Sequence, residues 1–244
     1  MKNIILNALV TLTLLLATAI CIRAVCTGTL YNTNRSGTAS TYHLDEDAVI
    51  GCYRKITPIL ISFQPGLELT DVEHGAPFDI LGIGAKIQIG WPKKDSEIAW
   101  LALDPKVTSI EQLWGNENDQ APPLTPNEPE NGYRALRLED QNGNKKIDSS
   151  DAIYHGLYLW FDRDHDAVSR SEEMEPLSSR VRYISLDYQQ VGQQDRHGNL
   201  IRSKAKVQLN DGTYCFSHDV FPVMAKSTII NRSSTTYDPK TIKP

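Results

Sequence analysis

Two acidic twelve-residue stretches stand ten residues apart in the middle of the chain, and nothing else in it restricts the backbone as tightly. The first runs Asp140-Gln-Asn142-Gly-Asn144-Lys-Lys146-Ile-Asp148-Ser-Ser-Asp151, the second Asp162-Arg-Asp164-His-Asp166-Ala-Val168-Ser-Arg-Ser-Glu-Glu173. Each sets oxygen side chains at positions one, three, five and twelve. A hard divalent cation such as Ca²⁺ wants six to eight oxygens, and a loop of this length supplies them by bending sharply at its sixth residue.

The expected ligands follow from that spacing. In the first loop they are Asp140, Asn142, Asn144, the Lys146 carbonyl, Asp148 through water, and Asp151 closing the loop. In the second they are Asp162, Asp164, Asp166, the Val168 carbonyl and Glu173, whose longer side chain can close bidentately. Carboxylates are denser in the second loop, so tighter binding is expected there. Position six is Lys145 in one and Ala167 in the other, where a left-handed backbone favours glycine, and each should cost about 1 kcal/mol. Ser169 also replaces the usual apolar residue at position eight. Such defects suggest affinity of about 10⁻⁴ to 10⁻³ M, the range of extracellular calcium modules.

Between the loops Ile153, Leu157 and Trp160 fall at helical spacing, which predicts one short helix over about 151–161 leaving one loop and entering the next. The fold expected is α+β, a β-rich body carrying a compact pair of EF-hand-like calcium loops that flank this helix. A helix over Asn131–Glu139 should lead into the first loop. Val107, Ile110, Leu113 and Trp114 suggest another. Elsewhere the pattern is of strands: an edge or early strand over Lys55–Phe63 crossed by Pro58, a hairpin joining Ile87–Trp91 to Ile98–Leu103, paired strands at Arg180–Tyr188 and Ser203–Leu209, and one more over Tyr214–Met224.

Charge locates the same centre. Ten acidic residues against four Lys or Arg lie between Glu139 and Glu175, so the net charge of −5 is local. No basic run with interleaved aromatics occurs, which argues against nucleic acid as a partner. The apolar stretch Ile4–Leu16, with small residues at Ala17-Thr-Ala19 and at Ala24, reads as a signal peptide over 1–24 and a secreted or periplasmic destination, with no membrane contact beyond it. Then follow a polar spacer over 25–51, a single domain over 52–225 holding the calcium segment 131–176, and a disordered tail over 226–244. In an oxidising compartment a disulfide among Cys26, Cys52 and Cys215 is expected, with the pairing open.

At these residues the chain resembles a known group. Asn131-Gly-Tyr133-Arg-Ala-Leu136, Leu157-Tyr-Leu-Trp160 before the second loop, Ile184-Ser-Leu-Asp-Tyr188 and Asp195-x-x-Gly198-Asn199 are similar to exported bacterial EF-hand or dockerin-type calcium-binding proteins of largely undefined role. The likeness extends from Pro58 to Val223. It implies Ca²⁺ as cofactor and a structural or binding role. Relatives of that kind carry Asp/Gly-rich loops after a Phe-Asp and a Leu-Asp; Phe78-Asp79-Ile-Leu-Gly82-Ile-Gly84 and Leu103-Asp104-Pro have lost those ligands. Ser149-Ser150 beside Asp151 is also similar to a dockerin repeat, which gives docking onto a surface or extracellular protein as an alternative, through the Ile153/Leu157 face. No GxSxG elbow, P-loop, dinucleotide fingerprint or zincin motif occurs, which favours binding over catalysis and leaves a hydrolase with structural calcium as the third reading.

Overall fold

The computed structural model describes residues 56–116 and 131–225, with Thr125 and Glu128 between them, and the backbone of three further short strands. Two compact units divide the chain, one over 51–225 and one combining 1–50 with 226–244. In the latter, β1 (Leu30–Asn32), β2 (Thr41–Leu44) and β14 (Thr228–Ile230) form a small antiparallel sheet in the order β1-β2-β14. Apart from those strands, the expected signal peptide, spacer and tail lie outside the described residues.

The larger unit is built on one nine-stranded antiparallel sheet that curls as a half-barrel. Its strands are β3 (Ile59–Ser62), β6 (Ile98–Ala102), β7 (Lys146–Asp148), β8 (Tyr158–Trp160), β9 (Met174–Pro176), β10 (Val181–Ser185), β11 (Gln189–Gln194), β12 (Leu200–Leu209) and β13 (Tyr214–Phe221). They run β7-β10-β12-β13-β3-β6-β8-β9, with β11 beside the other half of β12. A separate hairpin pairs β4 (Ala76–Phe78) with β5 (Ile87–Ile89).

Alternation along the central strands sends one set of side chains to each face, and both faces are buried. Ile59, Ile61, Ala99, Leu101, Leu159 and Phe161 enter one core with Leu136 and Tyr133 of α1 (Gly132–Glu139). Leu60, Trp100 and Trp160 are in register across β3, β6 and β8 and enter the other. There Trp91 packs at ring-centroid distances of 4.8 Å from Trp100 and 5.5 Å from Trp160, with Phe78 5.1 Å from Trp91. The α1 helix is started by Asn131, whose side-chain oxygen accepts from Tyr133 N and Arg134 N. It then lies so close to the sheet that a Cβ on Gly132 would meet Ile59 Cδ1 at 2.7 Å.

The expected α+β fold with two loops flanking a helix is therefore wrong. The segment between the loops is a 3-10 turn (Ala152–Gly156) followed directly by strand β8. Because β8 is covered on both faces, Leu159, Trp160 and Phe161 are all buried, and a continuous apolar run mimics helical spacing. Of the face expected to dock a partner, Leu157 is 1 % exposed inside the core and Ile153 is half-buried against it.

Other elements differ in detail. Ile110–Gln112 is only a 3-10 turn, closed by a Ser109/Gln112 capping box. Strand β3 is no edge, since β13 and β6 flank it, and Pro58 is tolerated because it stands just before the strand. Strands β5 and β6 do not pair: the first joins β4, the second β3 and β8. Cys215 is a free buried thiol, pushed up to about 12 by burial.

Candidate metal centre

Both acidic loops fold onto one backbone frame. In the first, Asp140 accepts from the N–H groups of Asn144 (3.2 Å) and Lys145 (2.8 Å), positions five and six. In the second, Asp162 accepts from the same positions, Asp166 (3.2 Å) and Ala167 (2.8 Å), and also from His165 (2.8 Å). The closing carboxylates match equally well. Asp151 takes the N–H groups of Gln141 and Asp148, positions two and nine, and Glu173 takes those of Arg163 and Arg170. Positions four and six are left-handed in both: Gly143 (70°) and Lys145 (61°), His165 (67°) and Ala167 (55°). The curl that glycine normally provides is present at Lys145 and Ala167, held by these bonds.

The frame collects oxygens at its centre. In the second loop carboxylate oxygens of Asp162, Asp164 and Asp166 lie within 4.8 Å of one another, close enough to share a cation. Arg170 bridges two of them, at 2.7 Å from Asp164 and 2.5 Å from Asp166. Desolvation within the loop, and then the neighbouring Asp166, push the Asp164 carboxyl up. Arg170 holds Asp166 down. Glu173 is pushed up by burial and then by Asp162. Like charges gathered in this way favour a cation. Glu173 spends one acceptor site of each oxygen on backbone N–H groups and keeps others for a metal. Val168 sits at position seven, as expected for a carbonyl ligand.

The first loop offers fewer charges. Asn142 accepts from Asn144 N at 3.0 Å, and the Asn144 amide donates to Asp148 at 2.9 Å. Asp148 is held low by Ser150 N–H first, against burial, and by Asn144 next. Lys146, at position seven, begins strand β7, and Asp151 is fully buried.

Several partners could not be read from the loop spacing. Trp91 donates its indole N–H to Asp162 Oδ2 at 2.6 Å, across 71 residues of sequence. The His165 ring nitrogens lie 2.7 Å from Pro92 O and 2.8 Å from His74 O. Asp95 N donates to Arg163 O, and Ser169 Oγ accepts from Val107 N while donating to Val107 O. That last pair explains Ser169 at position eight: it ties the loop to a neighbouring segment where an apolar residue would pack. Arg170 stands at position nine in plain view, but only the fold shows it reaching back to positions three and five.

The first half of the frame recurs upstream. Asp79 accepts from Ile83 N (3.0 Å) and Gly84 N (2.7 Å), again positions five and six, with Gly82 and Gly84 left-handed at positions four and six. Leu81 and Ile83 occupy positions three and five, so this turn has that half of the frame without the ligands.

Residues 63–222 match the SPM domain family. Over 169 residues the chain is 26 % identical to the iron-regulated protein FrpA of Neisseria meningitidis serogroup C, a match covering 67 % of this chain and 15 % of that protein. The chain thus spans a small part of that relative's length.

Proposed function

Since the chain belongs to the SPM domain family, we propose that it is an exported domain whose central loops bind Ca²⁺ and are ordered by it. The observation that carries this reading is the second loop, where three carboxylates converge within 4.8 Å on a closed frame. An all-oxygen set with a bidentate-capable glutamate suits a hard cation, and calcium better than the smaller magnesium, which keeps most of its water. Asp162, Asp164, Asp166, the Val168 carbonyl and Glu173 would hold it, with Arg170 yielding its two carboxylates. The first loop is a second, weaker site. The bound ion supplies charge neutralisation and links the ends of each loop, so that folding and binding are coupled. The ancestry suggested by the sequence, with calcium-binding exported proteins, belongs to this proposal at the level of the loop frame alone.

The test is a calorimetric Ca²⁺ titration of the chelator-stripped full chain beside Asp162→Ala and Asp140→Ala. Saturable heat that each variant removes in part is the expected result. No heat at millimolar calcium would sink the reading.

A further inference from the structure

The tryptophan cluster covers only half of one face of the main sheet. Registers carry a single row of side chains from Trp160 through Trp100, Leu60 and His218 to Lys204, across β8, β6, β3, β13 and β12. The first three are fully buried, with Trp160 and Trp100 packed against Phe78 and Trp91. Beyond His218 the same face is open. It displays Tyr214, 56 % exposed, and Phe216, 39 % exposed, with Gln208 and Lys206 opposite them on β12 and Tyr183 beyond on β10.

The charge of this open half is opposite to that of the chain. Lys146, Arg182, Lys204 and Lys206 surround the rings, and none forms an ion pair among the described residues. Elsewhere Arg163, Arg170, Arg180 and Arg196 each hold a carboxylate. Of the nearby acids, Asp148 accepts from Ser150 N and Asn144 Nδ2 and lies in the field of Lys146, and Asp211 accepts from Thr213 N, so the four cations outnumber them. At one end the face deepens into a polar cleft of about 320 Å³ lined by Lys146, Ser149, Ser150, Arg182 and Tyr183, with Asp148 at its wall.

We propose that this face docks on an anionic phospholipid surface, its cations and hydroxyls receiving headgroup phosphates. Charge complementarity selects an anionic partner, and the rings narrow the choice. Lys146 Nζ lies 4.4 Å above the Tyr183 ring and Lys204 Nζ 5.2 Å from the centre of Phe216. Ammonium groups therefore occupy ring faces on which the bases of a single-stranded nucleic acid would have to stack. Flat aromatic rings capped by cations suit the interfacial layer of a bilayer, where amphipathic side chains keep their charge in the headgroup region. The face adjoins the first loop, which supplies Lys146, Asp148, Ser149 and Ser150 to the cleft, and lies apart from the second loop, so binding is measured with and without Ca²⁺.

The full chain is sedimented at low salt, with and without Ca²⁺, with neutral phosphatidylcholine vesicles and with vesicles that also contain phosphatidylglycerol. Oligonucleotide, polyglutamate and inorganic phosphate are tested as separate ligands. Binding only to the anionic vesicles, lost at high salt, is expected. Lys204→Gln with Lys206→Gln should weaken it about 25-fold, near fivefold for each charge, with unchanged melting. Lys94→Gln, elsewhere on the surface, should leave it unchanged. Equal binding to both vesicle types, binding to neither, indifference to the double variant, or tighter binding of any of the three soluble ligands overturns the proposal.

Discussion

The two acidic loops share a backbone frame but differ in what holds it. The first is held largely by its own backbone and side chains, with most of its residues exposed, and is joined to the sheet through β7, which pairs with β10, and through Lys145 O, which accepts from Leu186 N. The second is held by the rest of the protein as well, through Trp91, Pro92, His74, Asp95 and Val107. Its first carboxylate ends on an indole inside the aromatic core. Equal local geometry therefore carries unequal consequences at the first carboxylate: Asp162 is bonded to the aromatic core, while Asp140 is bonded within its own loop.

The sharpest way to break that comparison is to remove the first carboxylate of each loop in metal-free protein. Asp162→Ala strands the buried Trp91 indole and the N–H groups of Asp166 and Ala167, so it should cost about 3 to 5 kcal/mol, at about 1 to 3 for each unsatisfied buried group. Asp140→Ala leaves its N–H partners in reach of water and should cost about 1 kcal/mol. Urea unfolding monitored by circular dichroism measures both. Equal losses would mean that the core does not feel the second loop.

Next in size is calcium itself. At a hundredfold excess over its dissociation constant a ligand adds about 2.7 kcal/mol, and chelator should take it away. Indole emission should follow filling of the second loop, because Trp91 touches Asp162. The Asp140→Ala protein should keep that optical response and Asp162→Ala lose it; a response that survived in Asp162→Ala would detach the tryptophans from the metal.

How much of this was legible in the sequence depends on the range of the contact. The twelve-residue frames could be read because every bond that makes them, such as Asp151 to Gln141 N, joins residues within one loop. The left-handed cost at Lys145 and Ala167 was equally local, and both angles have the sign it required. Strands β10 and β12 showed themselves because one face is wet along much of their length, and β13 because its first half alternates between exposed Tyr214 and Phe216 and buried Cys215 and Ser217. Where both faces are buried the period vanished and β8 read as helix, while β3 read as an edge or early strand because of Pro58, which stands just before it. Trp91 offered no local sign of its role, since its partner lies 71 residues away. The Asp79 turn read as a lost site; its ligands are gone, while the first half of its frame persists in two glycine angles and two backbone bonds.

Trp91→Phe asks the same question more gently. It keeps most of the packing against Trp100 and Trp160 but removes one donor to Asp162, and should cost about 1 to 3 kcal/mol. Outer partners of this kind typically tune metal affinity about tenfold or more, so the second site should weaken by that order while the first is unchanged. Calorimetric titration separates the two, and a parallel loss at both would place the tryptophan in general stability instead.

Acid should loosen the outer ties of the second loop before those of the first. Burial pushes Glu97 up, but Arg163 and Arg180 together hold it below its ordinary 4.5, so its contribution is complete above that value and fades as pH falls through the lower folded one. For Asp148 in the first loop the same window starts lower, from an ordinary 3.8. Glu173, pushed up by burial, runs in the opposite direction, so Glu97→Gln is needed to isolate the effect. Hydrogen exchange of the segment holding Arg163 should rise earlier on acidification than that of the segment holding Ser150, and the variant should abolish the difference. The partly exposed network limits the loss to about 1 kcal/mol.

The smallest effect bears on position six, where the loops share an angle but not a setting. Lys145 is exposed with a φ of 61°, so Lys145→Gly removes a left-handed strain of about 1 to 2 kcal/mol against a glycine entropy cost of about 0.5 to 1, for a net gain near 0.5 to 1. Ala167, at 55° and 3 % exposed, has the same strain, but its methyl is packed, and burying one such group is worth about 0.8 kcal/mol. Ala167→Gly should therefore leave stability nearly where it was. Thermal melting of the two metal-free variants decides the matter: a larger gain at Ala167 than at Lys145 would show that the second loop is not built into the core at that residue, and the contrast between the loops would rest on its bonds to Trp91 and the neighbouring segments.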